Sequence, residues 1–357
     1  MWCLKFFRLS VCILTLVINN YAAPKIRLNK TTDLWPLLEK HEIFQPTALV
    51  SDREGNFYIF DESKKAIYKF NSSFELVKSF GHKGQGPGEF LKRVNKLLLS
   101  PDGKLVLLEN WSKKVHYFDI EGNFSCSFIL KEIGIPHDLA IDRSGNHYFT
   151  DRGFYLHQEH VLIYDRNGKL MEMKLPDAHF ITWADVTKKG TPHEQTERIA
   201  HLQAQHYRRI TINRDSEIFI GRFDQYILEK YSANFKLIWH KEMNFERKVL
   251  PYASYNRRGT MPNVLGSVAG DGAIADLKID DKNNIWTSIG IEESENEPVD
   301  DHLRHWIDVF DTHGNHITRL LENELPHNQR GYTLDIYKAR LMVLADDRLL
   351  VYNILYD

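Results

Sequence analysis

The stretch GHKGQGPGEF, Gly81–Phe90, places four glycines and a proline between two apolar runs. Such a loop has two readings: a cradle for phosphate, or a tight crossing between units of a repeating fold. A phosphate loop needs a Lys followed by Ser or Thr after its glycines, with a helix opening behind them. Neither follows Gly88, so the glycines serve the turn itself. Pro87 stiffens the crossing and Phe90 becomes an apolar anchor between neighbouring units.

On either side of this loop one pattern recurs, six times in all: an apolar strand, a tight turn, then a strand rich in aromatic and β-branched residues. The copies are ALVSDREGNFYIFD (48–61), LLLSPDGKLVLLE (97–109), LAIDRSGNHYFTD (139–151), ITINRDSEIFIG (210–221), LKIDDKNNIWTS (277–288) and LMVLADDRLLVYN (341–353). Gly55, Gly103, Gly145, Ser216, Asn283 and Asp347 take equivalent turn positions, where tight or left-handed backbone favours Gly, Asn and Asp. Five copies are followed by a second hairpin, for example VHYFDIEGNFSCSFIL. Four strands per repeat at this spacing describe a β-propeller blade. The expected fold is all-β, a six-bladed propeller of four-stranded antiparallel blades. The sixth copy ends without its second hairpin, so a strand around Ile26–Leu28 is expected to complete it near Leu349–Leu355, removing two exposed edges.

FGHKGQGPGEF, together with DREGNFYIFDESKKAIYKFNSSFELVKSFG, resembles the NHL repeat. It is most similar to the six-bladed propellers of secreted bacterial proteins that carry a G-x-x-G-x-G-P-G-E-F joint. The resemblance implies the architecture of residues 24–357 as one domain. It also implies a range of roles: protein-binding platform, RNA-binding module, or lyase with metal in the central channel. Fold alone does not choose among these.

Composition narrows the range. The 357 residues are 43% hydrophobic with a formal net charge of -2, a globular chain with no basic field to recruit nucleic acid. Residues 1–23 read as a signal peptide: Lys5 and Arg8, the apolar run Leu9–Ile18, then Ala22-Ala23. The run is too short to span a bilayer. A secreted or periplasmic protein is expected, without membrane insertion after cleavage. Cys126 alone then remains, so no internal disulfide forms.

Turns within hairpins are short in every repeat, whereas connections on the opposite face expand at 152–160, 176–208, 243–276, 289–304 and 322–335. Binding resides most often on such elaborated loops. Residues 191–208 carry a helix pattern whose His193, Glu194, Glu197, His201 and His206 fit no zinc spacing. Residues 290–305 are acidic without calcium-loop spacing, and YNRRGTMPN (255–263) mixes aromatic and basic residues.

Counting back equally from each turn, Thr47, Asn95, His137, Arg208, Ala275 and Ala339 open onto the channel mouth. Their successors are Ala48, Lys96, Asp138, Arg209, Asp276 and Arg340. The candidate ligand-binding set is Asn95, His137, Asp138, Arg208, Asp276 and Arg340. Mixed arginines favour an anion over a divalent cation by plain Coulomb repulsion. No G-x-S-x-G and no glycosidase carboxylate pair is legible. The expectation is an exported, non-catalytic, monomeric binding propeller without cofactor or metal, taking a protein, small-molecule or carbohydrate partner. The competing expectation is a lactonase-like or metal-dependent lyase using the channel.

Overall fold

A computed structural model describes residues 26–151, 159–176, 207–222, 226–243, 273–290, 305–320, 325 and 332–356, plus four two-residue strands between 250 and 269. The helix expected within 191–208, the acidic loop and most of 255–263 lie outside these residues.

The described residues form six antiparallel four-stranded sheets. Their innermost strands are Pro46–Ser51, Val94–Leu99, Pro136–Ile141, Arg208–Ile212, Ala273–Ile279 and Thr333–Tyr337. We number the blades one to six in that order. Alternation along each strand sends successive side chains to opposite neighbours. Val106 and Leu108 therefore pack toward blade three, while Leu105 and Leu107 pack toward blade one. Both faces of an inner sheet are covered, so second strands such as Phe57–Asp61 and Leu105–Glu109 are buried throughout. Outer strands such as Leu76–Phe80 are largely exposed or half-buried. Among the described residues the buried apolar side chains form six clusters, one at each seam between blades.

The N-terminal strand Ile26–Asp33 closes blade six, pairing antiparallel with Leu349–Tyr356 from Ile26↔Tyr356 to Asp33↔Leu350. Ile26 is buried with Trp286 and Tyr352 at the seam between blades five and six. A helix that the sequence reading did not anticipate, Trp35–Lys40, follows directly. The Trp35 N–H donates to Asp33 Oδ1 at 2.9 Å, and Leu38 is buried at the seam between blades six and one.

Five expected turn residues, Gly55, Gly103, Gly145, Ser216 and Asn283, have positive φ. The sixth expectation is corrected. Blade six begins one strand earlier, and its first hairpin turns at Lys338 (φ 53) rather than at Asp347. The Ala345–Arg348 turn, which resembles the other copies in sequence, joins the second and third strands.

Gly81–Phe90 forms the joint between blades one and two. His82–Lys83 pairs with Glu89–Phe90, and the Glu89 carboxylate accepts from the Gly86 N–H at 2.7 Å and bonds His82 at 2.8 Å. A Cβ on Gly84 would sit 1.9 Å from that carboxylate, so any other residue there would push Glu89 out of its bonds to Gly86 and His82. Phe90 is fully buried, edge-on to Phe60 at 5.1 Å.

A candidate functional site at the channel mouth

Where the innermost strands begin, the chain encloses a cavity of about 660 Å³ on the face of the long connections. Thr47, Asn95, His137 and Ala275 line it. Each occupies a β-bulge: pairing skips from Pro46 to Ala48, Val94 to Lys96, Pro136 to Asp138 and Ile274 to Asp276. The extra residue is released from the ladder and re-aimed, here toward the mouth. Blade four has no such bulge; Arg208 pairs with Arg222 and Arg209 with Gly221. There Arg209 lines the cavity and Arg208 does not. Arg208 is buried and acts electrostatically on Glu229, inside the blade. The expected position of Arg208 at the mouth is corrected by one residue.

Arg340 is corrected further. It lies on the second strand of blade six at the opposite, trimmed face. Its Nη2 donates to the Gly55 carbonyl at 3.0 Å and to Ser51 Oγ at 3.3 Å, with the guanidinium 5.8 Å from the Tyr337 ring centroid. It clamps blade six to blade one. Tyr332 and Thr333 take the place expected for Ala339 and Arg340 at the mouth.

The remaining candidates hold neighbouring blades in register. Asn95 Nδ2 donates to the His137 carbonyl at 2.7 Å. Asp138 accepts from the Ile210 N–H at 3.0 Å across the seam between blades three and four, and Asp276 accepts from the Leu334 N–H at 2.9 Å across the seam between blades five and six. Lys96 Nζ lies 2.8 Å from Asp138 and 3.7 Å from Asp276, and Lys278 lies 3.7 Å from Asp276. Burial pushes the Asp276 carboxyl up, and Lys278, Lys96, Arg209 and the Leu334 N–H together outweigh it, leaving it below the usual carboxylate range. Burial likewise lowers Lys278, opposed by Asp276.

Several buried side-chain polar atoms of the described residues lack a hydrogen-bond partner, the Arg222 and Arg340 Nε among them. Asn95 Oδ1 and Arg209 Nε are buried without a hydrogen-bond partner among the described residues. A buried polar atom that nothing satisfies is costly, so at a cavity wall such an atom is available to a ligand or to water. The His137 ring lies 4.8 Å from that of Tyr207. Phe44, Arg93 and Trp111, none of them expected from sequence, also line the cavity. They lie in connections rather than in the repeat, where equal counting from the turns does not reach. Among the described residues, no three His, Cys, Asp or Glu side chains gather as a metal-holding group. No described helix is long and apolar enough to cross a membrane.

Residues 40–265 match the model of a family described as a 6-bladed beta-propeller. The chain belongs to that family. Among curated proteins no relative matches the sequence. Solved structures similar to this propeller include a member of the duf4221 family from Bacteroides vulgatus, 10% identical with a TM-score of 0.57, covering 94% of this chain and 99% of that one. Virginiamycin B lyase from Staphylococcus aureus is 11% identical with a TM-score of 0.51, covering 93% and 100%. A gluconolactonase from Xanthomonas campestris is 13% identical with a TM-score of 0.53, covering 88% of each chain. At these identities the likeness concerns the six-bladed fold.

Proposed function

We propose that this protein is an exported binding propeller that seats a small anionic ligand at the channel mouth. The observation that carries the reading is Arg209, which lines the cavity with a buried Nε that no described residue satisfies. Asn95 Oδ1, in blade two, is in the same condition and also belongs to a cavity-lining residue. A concave site with a few convergent polar groups suits small-molecule recognition, and a volume near 660 Å³ lies within the ordinary range for such sites. Arg209 supplies a permanent charge and a fork of donors matched to a carboxylate. Lys96 and Lys278, paired with Asp138 and Asp276 beneath the mouth, neutralise those carboxylates, so the floor does not repel an anion.

Export is supported by the charged start, apolar run and small residues of positions 1–23. N-terminal sequencing of protein recovered outside the cytoplasm should begin close to Pro24; a mature chain starting at Met1 would remove this part of the proposal.

Native mass spectrometry of the purified protein tests the binding role. An anionic small molecule should co-purify, and Arg209→Gln should abolish its retention while leaving the melting temperature within a few degrees. Retention unchanged by Arg209→Gln counts against the mouth. The competing lyase or lactonase reading separates in the same experiment, because a catalyst releases a chemically altered ligand and a binder returns it intact.

A further inference from the structure

We infer that the ligand of this mouth is an acidic oligosaccharide; the inference rests on the mouth being the binding site, as proposed above. Its starting point is the rim. Phe44 and Trp111 line the cavity yet remain 56% and 53% exposed, among the most exposed large apolar side chains described. Two exposed aromatic faces at the rim of one cavity offer stacking surface to a ligand, and covering them removes apolar area from water.

Both aromatics are mounted on pinned backbone. The Trp111 N–H donates to Asn110 Oδ1 at 2.8 Å, and Ser112 Oγ donates to the Glu109 carbonyl at 3.2 Å. Phe44 follows fully buried Ile43 and precedes exposed Gln45, whose backbone N–H donates to Asp61 Oδ2 at 2.8 Å. A platform fixed before binding loses little entropy when a ring stacks on it. The C–H faces of a pyranose are a natural match for such a surface.

The rest of the wall argues for a sugar bearing a carboxylate. Phe44 and Trp111 belong to blades one and two, whereas Arg209 belongs to blade four, opposite blade one in a six-membered ring. A ligand touching both sides must therefore span the channel, which favours a chain of rings over a single one. Gln45, Asn95 and Asn110 line the cavity on the side of the aromatics, and the amide atoms there that are not engaged within the protein, Asn95 Oδ1 among them, suit hydroxyls. The charged lining comprises Arg93, Arg209, Glu62 and Asp346, a formal sum of zero. A phosphorylated polyanion would face two carboxylates there, while a singly charged uronate with many hydroxyls finds a cation and additional acceptors.

Isothermal titration calorimetry on the mature chain tests this with glucuronosyl-xylobiose and 3′-sialyllactose as acidic trisaccharides that each carry one carboxylate, maltotriose as the neutral sugar, and tricarballylate and uridine monophosphate as anions that are not sugars. At least one acidic trisaccharide should bind, with maltotriose at least tenfold weaker. Trp111→Ala should weaken that binding tenfold or more, and Trp111→Phe should largely restore it. Arg209→Gln should erase the preference for acidic over neutral sugar, and Arg209→Lys, which keeps a charge near Asp276, controls for folding. Arg209-dependent binding of tricarballylate or uridine monophosphate, with no acidic sugar bound, overturns the sugar assignment and leaves the mouth standing. Acidic-sugar binding that neither Trp111→Ala nor Arg209→Gln alters overturns both.

Discussion

His147 shows how one buried side chain sets a pH dependence far from the mouth. It is fully buried in blade three; the Tyr117 hydroxyl donates to Nε2, and Nδ1–H donates to the Asp165 carbonyl at 3.2 Å. One acceptor and one donor suit the neutral ring, and burial pulls its pKa down to about 4. The unfolded chain takes up this proton near pH 6.5, so the unfolded state binds more protons between about 6.5 and 4. The contribution is complete above pH 6.5 and falls by about 3 kcal/mol as pH drops toward 4. Urea denaturation across that range should show the decline, and His147→Gln should flatten the slope whatever its effect on absolute stability. Lys96 offers a second test. Lys96→Met would leave the buried Asp138 carboxylate without its cation, and roughly 3–5 kcal/mol of destabilisation is expected from equilibrium unfolding.

At the scale of elements, an acidic residue at the end of the second strand latches the incoming connection in three blades. Asp61 accepts from the Gln45 N–H, Glu109 from those of Leu91 and Lys92, and Asp151 from those of Gly134 and Ile135. In blades four and five the corresponding strand ends are Arg222 and Gly290, and the incoming connections there are the long ones. A short joint is thus fixed by a carboxylate, and a long joint lacks that device. Glu109→Ala should strand two amide donors and cost roughly 2–4 kcal/mol. Hydrogen exchange should then accelerate at Leu91 and Lys92 before it does in the blade centre; unchanged exchange at both would remove the latch. The acidic residues were visible in the repeat, but their role was not, because their partners are backbone groups of a different segment. The bulges were hidden for the same reason. A bulge is a mismatch between two strands, and counting from a turn assumes none.

The whole molecule depends on closure by its N-terminal strand. Deleting Ile26–Asp33 would uncover the Leu349–Tyr356 edge and remove Ile26 from its seam. A fall in melting temperature of roughly 10 °C or more is expected for a loss of several kcal/mol. An unaltered melting temperature would show that the ring holds without this strand. Closure was legible because a propeller with an incomplete last blade has one economical solution.

Residues and their spacing were enough to establish the repeat, the six blades, the joint at Gly81–Phe90 and the closing strand. These follow from local rules: strand alternation, turn chemistry and the need to cover edges. The sequence placed Arg208 and Arg340 at the mouth, and the tertiary structure turned one into its blade and carried the other to the opposite face. It also brought Phe44, Trp111 and Arg209 to one cavity from three blades and connections. Side-chain direction on an inner strand inverts with every residue of register, and register is set by pairing between strands that no single segment encodes. The fold was therefore written along the chain, while the site was decided only across it.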